Sequence, residues 1–292
     1  MGSDFEKNVR ALYGQEGICW LNDLPHLVDI YAKKWSLHDL NPFENLSYHY
    51  VLSGKRTDNP IVLKLSPGSL QKEARALEAF GGYGCVKILE SDEKALLLEG
   101  LLPGTSLKNY FPRQDLHSAE IVFTLIQKLH TAPLPKTSVF PHIKDWLKIL
   151  DQSWDIPLSF LAKARLYRDV LLERDTPEVF LHADLHHDNV LKQGNSWCAI
   201  DPMGAIGDPL YEVASFIRNP LSELSCYENR YPLIKARILF FCDLFKTNPS
   251  IIAQWCFVQS VLSWIWCLQD KTSATSFEVL TPLFDVLSQE IQ

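Results

Sequence analysis

The feature that most constrains this chain is where its two kinds of pattern fall. Apolar and β-branched runs that read as strands concentrate before residue 100, and helical periodicity dominates after it. Residues 48–52 and 61–65 are such runs. They flank SGKRTDNP, a segment rich in turn formers, and together predict a hairpin. Residues 69–80 predict a helix stopped by Gly81-Gly82. Residues 85–89 and 94–98 predict a second strand pair around the turn at 90–93. The first 40 residues read as mainly helical, and Leu102-Pro103-Gly104 breaks the strand pattern. Beyond it, 118–130 has helical spacing, and strand-like pieces return only at 179–181, 190–192 and 198–200. The segregation predicts an α+β chain in two parts: a small strand-rich part over 1–99 and a larger, mainly helical part over 100–292.

Charge and cysteine usage narrow the function classes. With 28 basic against 35 acidic residues the chain carries −7, which argues against a nucleic-acid partner. Its 7 cysteines include no CxxC and are odd in number, which fits free thiols in a reducing cytoplasm. The start, MGSDFEKNVR, has no apolar signal-peptide region. Residues 247–269 carry no formal charge and approach the length of a membrane span. Gln254, Gln259, Ser260 and Ser263 interrupt the run, while Trp255, Val258, Leu262 and Trp266 recur at helical spacing. That pattern predicts a buried helix and no membrane contact.

Chemistry-bearing residues cluster in LHADLHHDNVL and WCAIDPMGAIGDP. Asp184 falls in a short loop between two apolar strands, Asn189 leads into the second, and Asp201 follows a third. A hard cation such as Mg²⁺ takes carboxylate and amide oxygens, usually with phosphate oxygens completing its shell, which suits Asn189 and Asp201. Asp184 is then free to accept the proton of an alcohol. An Asp, an Asn five residues on and a strand-end Asp is the spacing of phosphoryl-transfer loops. A competing reading takes His182, Asp184, His186, His187 and Asp188 as ligands of zinc or iron in a hydrolase. A third is a nucleotide-binding regulator without transfer activity, and the plainest is a solvated Asp-rich turn.

The N-terminal part offers an independent sign. Lys64 is the only charge in the apolar run 61–65, and Glu73 sits inside the apolar stripe Leu70, Ala74, Leu77, Phe80 of the next helix. A carboxylate aimed at a core needs a partner, and Lys64 is the natural one. A strand Lys held by a helix Glu is a device for gripping nucleotide phosphates. The simpler alternative has Lys64 reaching solvent and Glu73 at the stripe's edge. No glycine-rich phosphate loop occurs, so the candidate cover is Asn45-Leu46-Ser47-Tyr48, with Ser47 near phosphate. Asp208-Pro209 reads as an N-cap and first helical position.

These segments, with GICWLNDLP and KEARALEAFGGYGCVKILESDEKALLLEGLLPG, resemble the aminoglycoside phosphotransferase family, in particular its streptomycin/hydroxyurea phosphotransferase branch. The resemblance implies a bilobal protein-kinase-like fold with ATP between the lobes. It implies Asp184 as base, Asn189 and Asp201 as Mg²⁺ ligands, Lys64 with Glu73 at the α/β-phosphates, and adenine on the backbone near Glu99 to Leu101. The acceptor would be a hydroxyl of a small molecule, either a cationic aminoglycoside such as streptomycin or a metabolite alcohol. Glu223, Glu228, Asp243 and Asp270 read first as solvated helix faces and second as an attraction for such a cation. Two positions depart from the branch: Ala183 stands where Gly is usual, and Met203 where an IDPKG-like run has Lys.

Overall fold

In the computed structural model, which describes residues 3–136 and 139–291, the chain divides into two compact units. One comprises Met1–Gly104 with Lys192–Cys198, the other Thr105–Leu191 with Ala199–Gln292. They are called here the sheet unit and the helical unit.

The sheet unit begins with α1 (Ser3–Lys34), acidic in its first turn and basic in its last, as the helix dipole favours. Gly14 leaves helical geometry with φ 55°, ψ −129° and kinks it. Then come β1 (Leu37–Pro42), β2 (Tyr50–Arg56), β3 (Asn59–Leu65), α2 (Gln71–Phe80), β4 (Ile88–Asp92), β5 (Ala95–Glu99) and β6 (Pro103–Ser106). The first five strands form an antiparallel sheet in the order β1-β2-β3-β5-β4. Alternation divides the side chains of β3 between two faces. Ile61, Leu63 and Leu65 join Phe5, Val9 and Leu24 of α1 in one core. Lys64 faces the other way with Val62, beside α2.

The hairpin expected between 48–52 and 61–65 is longer than its apolar runs. Its strands pair from Tyr50↔Leu65 to Arg56↔Asn59 around a turn at Thr57-Asp58, where Thr57 takes φ 57°. The helical reading of the first 40 residues fails at its end, because 37–42 is the edge strand β1. Only Leu37 of β1 is buried, and a register shift between His38 and Asn41 marks a bulge. A polar, bulged edge carries no period-2 signal. Gly81 caps α2 in the left-handed region at φ 53°.

The helical unit contains α3 (Asp115–Leu129), α4 (Ile143–Leu147), α5 (Leu158–Leu172), β7 (Val179–Leu181), β8 (Val190–Gln193), β9 (Ser196–Ala199), β10 (Ala205–Gly207), α6 (Pro209–Ile217), α7 (Leu221–Cys226), α8 (Arg230–Phe245), α9 (Pro249–Gln269) and α10 (Thr275–Glu290). The tip of the β8–β9 hairpin belongs to the sheet unit, where Gly194 N donates to Leu102 O at 2.7 Å. Helix α9 is the uncharged stretch near residue 260. It packs against α5, α6, α8 and α10 and is buried on every side from Trp255 to Ile265. Its apolar composition is therefore that of a core helix.

Candidate active site

The loop bearing Asp184 leaves β7, and β10 pairs antiparallel with that strand from Ala205↔Leu181 to Gly207↔Val179. What holds the loop is Glu212, a fully buried carboxylate in α6. It accepts from His182 N at 2.7 Å and Ala183 N at 3.0 Å. Burial pushes its carboxyl up to about 8, against the pull of its backbone donors. Ala183 adopts φ 69°, a left-handed conformation that an L-residue enters only at a cost. This explains why glycine suits the position.

The His182 ring spans the loop. Its Nε2 meets Ile200 O at 2.8 Å and its Nδ1 accepts from Asp184 N at 3.3 Å. Donating at Nε2 and accepting at Nδ1 requires neutral imidazole, and burial accordingly lowers its pKa to about 4. His187 is buried and stacks on Phe216 at 4.3 Å. His186 Nδ1 accepts from Asp188 N at 3.2 Å. Each of the three imidazoles has its own partners, and no group of His, Cys, Asp and Glu among the described residues is arranged to hold a metal by itself. The hydrolase reading thus loses its ligand set.

Asp184 is partly exposed, and its carboxylate lies 3.5 Å from His186 Nε2. Burial raises its pKa, but His186 and the charge of Arg218 outweigh this and hold it below the ordinary aspartate value. It is therefore ionised and able to accept a proton. Asn189, in the turn before β8, donates from Nδ2 to Asp184 O at 3.0 Å and to Asp184 Oδ2 at 3.4 Å. That fixes the amide and turns Oδ1 away from Asp184, with no hydrogen bond to it among the described residues. Its backbone is fixed too: Asn189 N donates to His186 O, and Ile200 N to Asn189 O, both at 2.9 Å. Asp201 lies just past β9 with φ 57°. An amide oxygen and a carboxylate form a donor set that fits Mg²⁺.

In the sheet unit Lys64 Nζ meets Glu73 Oε1 at 2.9 Å and Oε2 at 2.8 Å. The lysine side chain is 4% exposed and the glutamate 13%, so the simpler alternative of a solvent-reaching lysine does not hold. Ser47 lies exposed in the loop before β2, where its carbonyl accepts from Asn8 Nδ2 at 3.3 Å. Glu99 closes β5, and its carboxylate accepts from Lys87 N at 2.9 Å. Leu101 follows, and neither its N–H nor its C=O has a partner among the described residues.

Sequence reasoning did not find Glu212, Arg218 or Arg237. Arg237, fully buried, pairs with Asp115 through Nε at 2.8 Å and NH2 at 2.5 Å. It also donates to Ile217 O at 2.7 Å and Asn219 O at 2.5 Å, and so ties α8 to α3 and to the end of α6. Glu212 had a signal, because it is the only charge between Pro209 and Ile217. Asp208 caps α6 as expected, accepting from Leu210 N at 2.8 Å, and receives Arg174 and Trp255 as well. Glu223 is not a free acidic charge, for Lys108 pairs with it at 2.8 Å.

A strand-rich unit with a helix-braced lysine, followed by a helical unit with an Asp–Asn loop, defines a protein-kinase-like fold. An aminoglycoside phosphotransferase, APH(4)-Ia, solved as a ternary complex with AMP-PNP and hygromycin B, shares that fold with a TM-score of 0.66 at 14% identity, over 89% of this chain and 97% of that one. The profile described as aminoglycoside/hydroxyurea antibiotic resistance kinase matches residues 34–271, and the chain belongs to that family. It is similar to streptomycin 3''-kinase of Klebsiella pneumoniae, 27% identical over 82% of this chain and 91% of the relative. It is likewise similar to streptomycin 6-kinase of Streptomyces griseus, 23% identical over 89% and 88%. The protein is a small-molecule phosphotransferase with an alcohol group as acceptor.

Proposed function

We propose that the protein transfers a phosphoryl group from ATP, with Mg²⁺, to a hydroxyl of a small molecule in the cytoplasm, and that an aminoglycoside such as streptomycin is the first acceptor to test. The observation that carries this reading is the Asp184–Asn189 arrangement. One amide nitrogen is spent on Asp184 while the amide oxygen is left for a cation, and the aspartate stays ionised. Mg²⁺ held by Asn189 and Asp201 supplies charge neutralisation for phosphate oxygens. Asp184 accepts the proton of the acceptor hydroxyl and fixes the direction of its lone pair. Residues 1–99 serve as the nucleotide part: Lys64, locked by Glu73, meets the α/β-phosphates, Ser47 covers them, and Glu99 to Leu101 receive adenine. The unpartnered N–H and C=O of Leu101 suit that last role. Residues 100–292 carry the catalytic loop and acceptor site. The free thiols agree with a reducing compartment.

The test is ATP consumption with streptomycin, hydroxyurea and a set of metabolite alcohols, with the product located by mass spectrometry. Asp184→Ala should lower turnover about 10²- to 10⁴-fold, the usual share of general-base catalysis, and leave the melting temperature nearly unchanged. Undiminished turnover in that variant would end the assignment of Asp184, and no ATP consumption by the wild type with any acceptor would end the kinase reading.

A further inference from the structure

Arg218, at the C-terminal end of α6, is 8% exposed, yet its guanidinium makes no hydrogen bond or ion pair among the described residues. Its Nε is fully enclosed and unpartnered. The group rests over the Phe277 ring of α10, 5.8 Å from its centroid. Asp184 lies near enough for the two charges to act on each other, but no ion pair joins them. The contrast with Arg237 is direct, because that buried guanidinium is satisfied on every side. A buried cation without partners is costly, and a fold retains one where a ligand completes it.

We propose that Arg218 is the acceptor-binding residue of this enzyme: its guanidinium takes a hydrogen-bond-accepting oxygen of the molecule whose hydroxyl meets Asp184. The inference rests on the kinase reading above and adds the acceptor's chemistry. A guanidinium only donates, and it repels ammonium and guanidinium groups. The acceptor therefore presents a carboxylate, carbonyl or hydroxyl oxygen to this side of Asp184, and any cationic groups it has lie elsewhere. The neighbours of Arg218, namely Tyr211 and Phe277 with the ends of α6 and α9, all belong to the helical unit. The proposed nucleotide residues Lys64, Glu73, Glu99 and Leu101 all belong to the sheet unit. Glu223, an acidic residue that a polycation could have used, is already neutralised by Lys108.

The experiment compares wild type, Arg218→Met and Arg218→Lys by steady-state kinetics and thermal melting. Streptomycin, hydroxyurea, gluconate and sorbitol serve as acceptor probes, so that cationic, carbonyl, carboxylate and neutral hydroxyl compounds are separated. For each probe the wild type phosphorylates, Arg218→Met should raise the acceptor KM about 10- to 100-fold, the worth of a hydrogen bond to a charged group, with kcat and the ATP KM little changed. Arg218→Lys should recover part of the loss. The melting temperature of unliganded Arg218→Met should equal or exceed that of wild type, since an unsatisfied buried charge has been removed. A lower melting temperature would make Arg218 structural and overturn the proposal. So would an unchanged acceptor KM, or a rise in the ATP KM of the same size. If the wild type consumes no ATP with any probe, the kinase reading fails on its own account, and the melting comparison still decides whether Arg218 is structural.

Discussion

The sheet unit and the helical unit each bury one key carboxylate, and they satisfy it in opposite ways. Glu73 meets a side chain, with both oxygens on the ammonium of Lys64. Glu212 meets backbone, accepting the N–H groups of His182 and Ala183. The first arrangement positions a charge, which a lysine on a flexible stem needs if it is to meet phosphate repeatedly in one place. The second positions a stretch of chain, which a loop without secondary structure needs if its aspartate is to hold one direction. The difference predicts unequal consequences when each carboxylate is removed. Glu212→Ala leaves the N–H groups of His182 and Ala183 without their acceptor, each worth about 1–3 kcal/mol, so about 2–6 kcal/mol of stability should be lost and catalysis with it. Glu73→Ala takes both carboxylate contacts from a buried ammonium and should cost about 3–5 kcal/mol, with the activity loss seen in the nucleotide KM. Both losses are read by denaturant unfolding, and ATP kinetics separates the two variants: Glu73→Ala should raise the nucleotide KM and Glu212→Ala should lower kcat, so the same kinetic change in both would erase the distinction.

Acid should find the helical unit before the sheet unit. His182, fully buried, and His130, largely enclosed, have pKa values lowered to about 4, and His187 is lowered well below its ordinary value, in each case first by burial. Their folded pKa lies below the unfolded value of 6.5, so the unfolded chain binds more protons between pH 6.5 and 4. The stability they contribute is present above pH 6.5 and is lost as pH falls through that window, about 3 kcal/mol for a fully buried histidine such as His182. Glu212 acts in the other direction. Its raised pKa gives stability that is present below about 4.5 and lost as pH rises to about 8. The two opposed effects overlap between pH 6.5 and 4.5, so the melting temperature should fall most steeply below pH 4.5. A melting temperature unchanged from pH 7 to pH 4 would show that these histidines are not held neutral.

The same contrast explains what could be read from the sequence. The Lys64–Glu73 pair was legible because Lys64 is the lone charge in an apolar strand and Glu73, only nine residues on, falls inside the apolar stripe of a helix. The Asp184 and Asn189 loop was legible because it is contiguous. Arg237 with Asp115, 122 residues apart, was not, since no local pattern couples positions so distant. Arg218 was hidden for another reason: an arginine at a helix end looks solvated, and only packing shows it enclosed. Among the strands, β1 escaped because a bulged edge buries only Leu37 and so has no alternation to detect. The uncharged run of α9 was legible as core because its polar interruptions, Gln259 and Ser260, are themselves buried within the unit.

The smallest expected effect tests how tightly backbone support defines the loop that bears Asp184. Ala183 stays at φ 69° because its N–H is tied to Glu212, and the left-handed region costs an L-residue about 1–2 kcal/mol. Ala183→Gly relieves that strain. It also gives the unfolded chain more freedom, worth about 0.4–1 kcal/mol against folding, and removes a buried methyl worth about 0.8 kcal/mol. The contributions nearly cancel, so stability should stay within about 1 kcal/mol of wild type, with an unchanged denaturant m-value. Turnover should also persist, because the backbone bonds to Glu212 do not involve the methyl. A larger loss of stability would mean that the Ala183 methyl is packed well enough to outweigh its strain. A loss of turnover without a loss of stability would mean that Cβ, and not Glu212 alone, sets the direction of Asp184. Either result would weaken the view that in the helical unit one buried carboxylate, acting through backbone donors, is what aims Asp184.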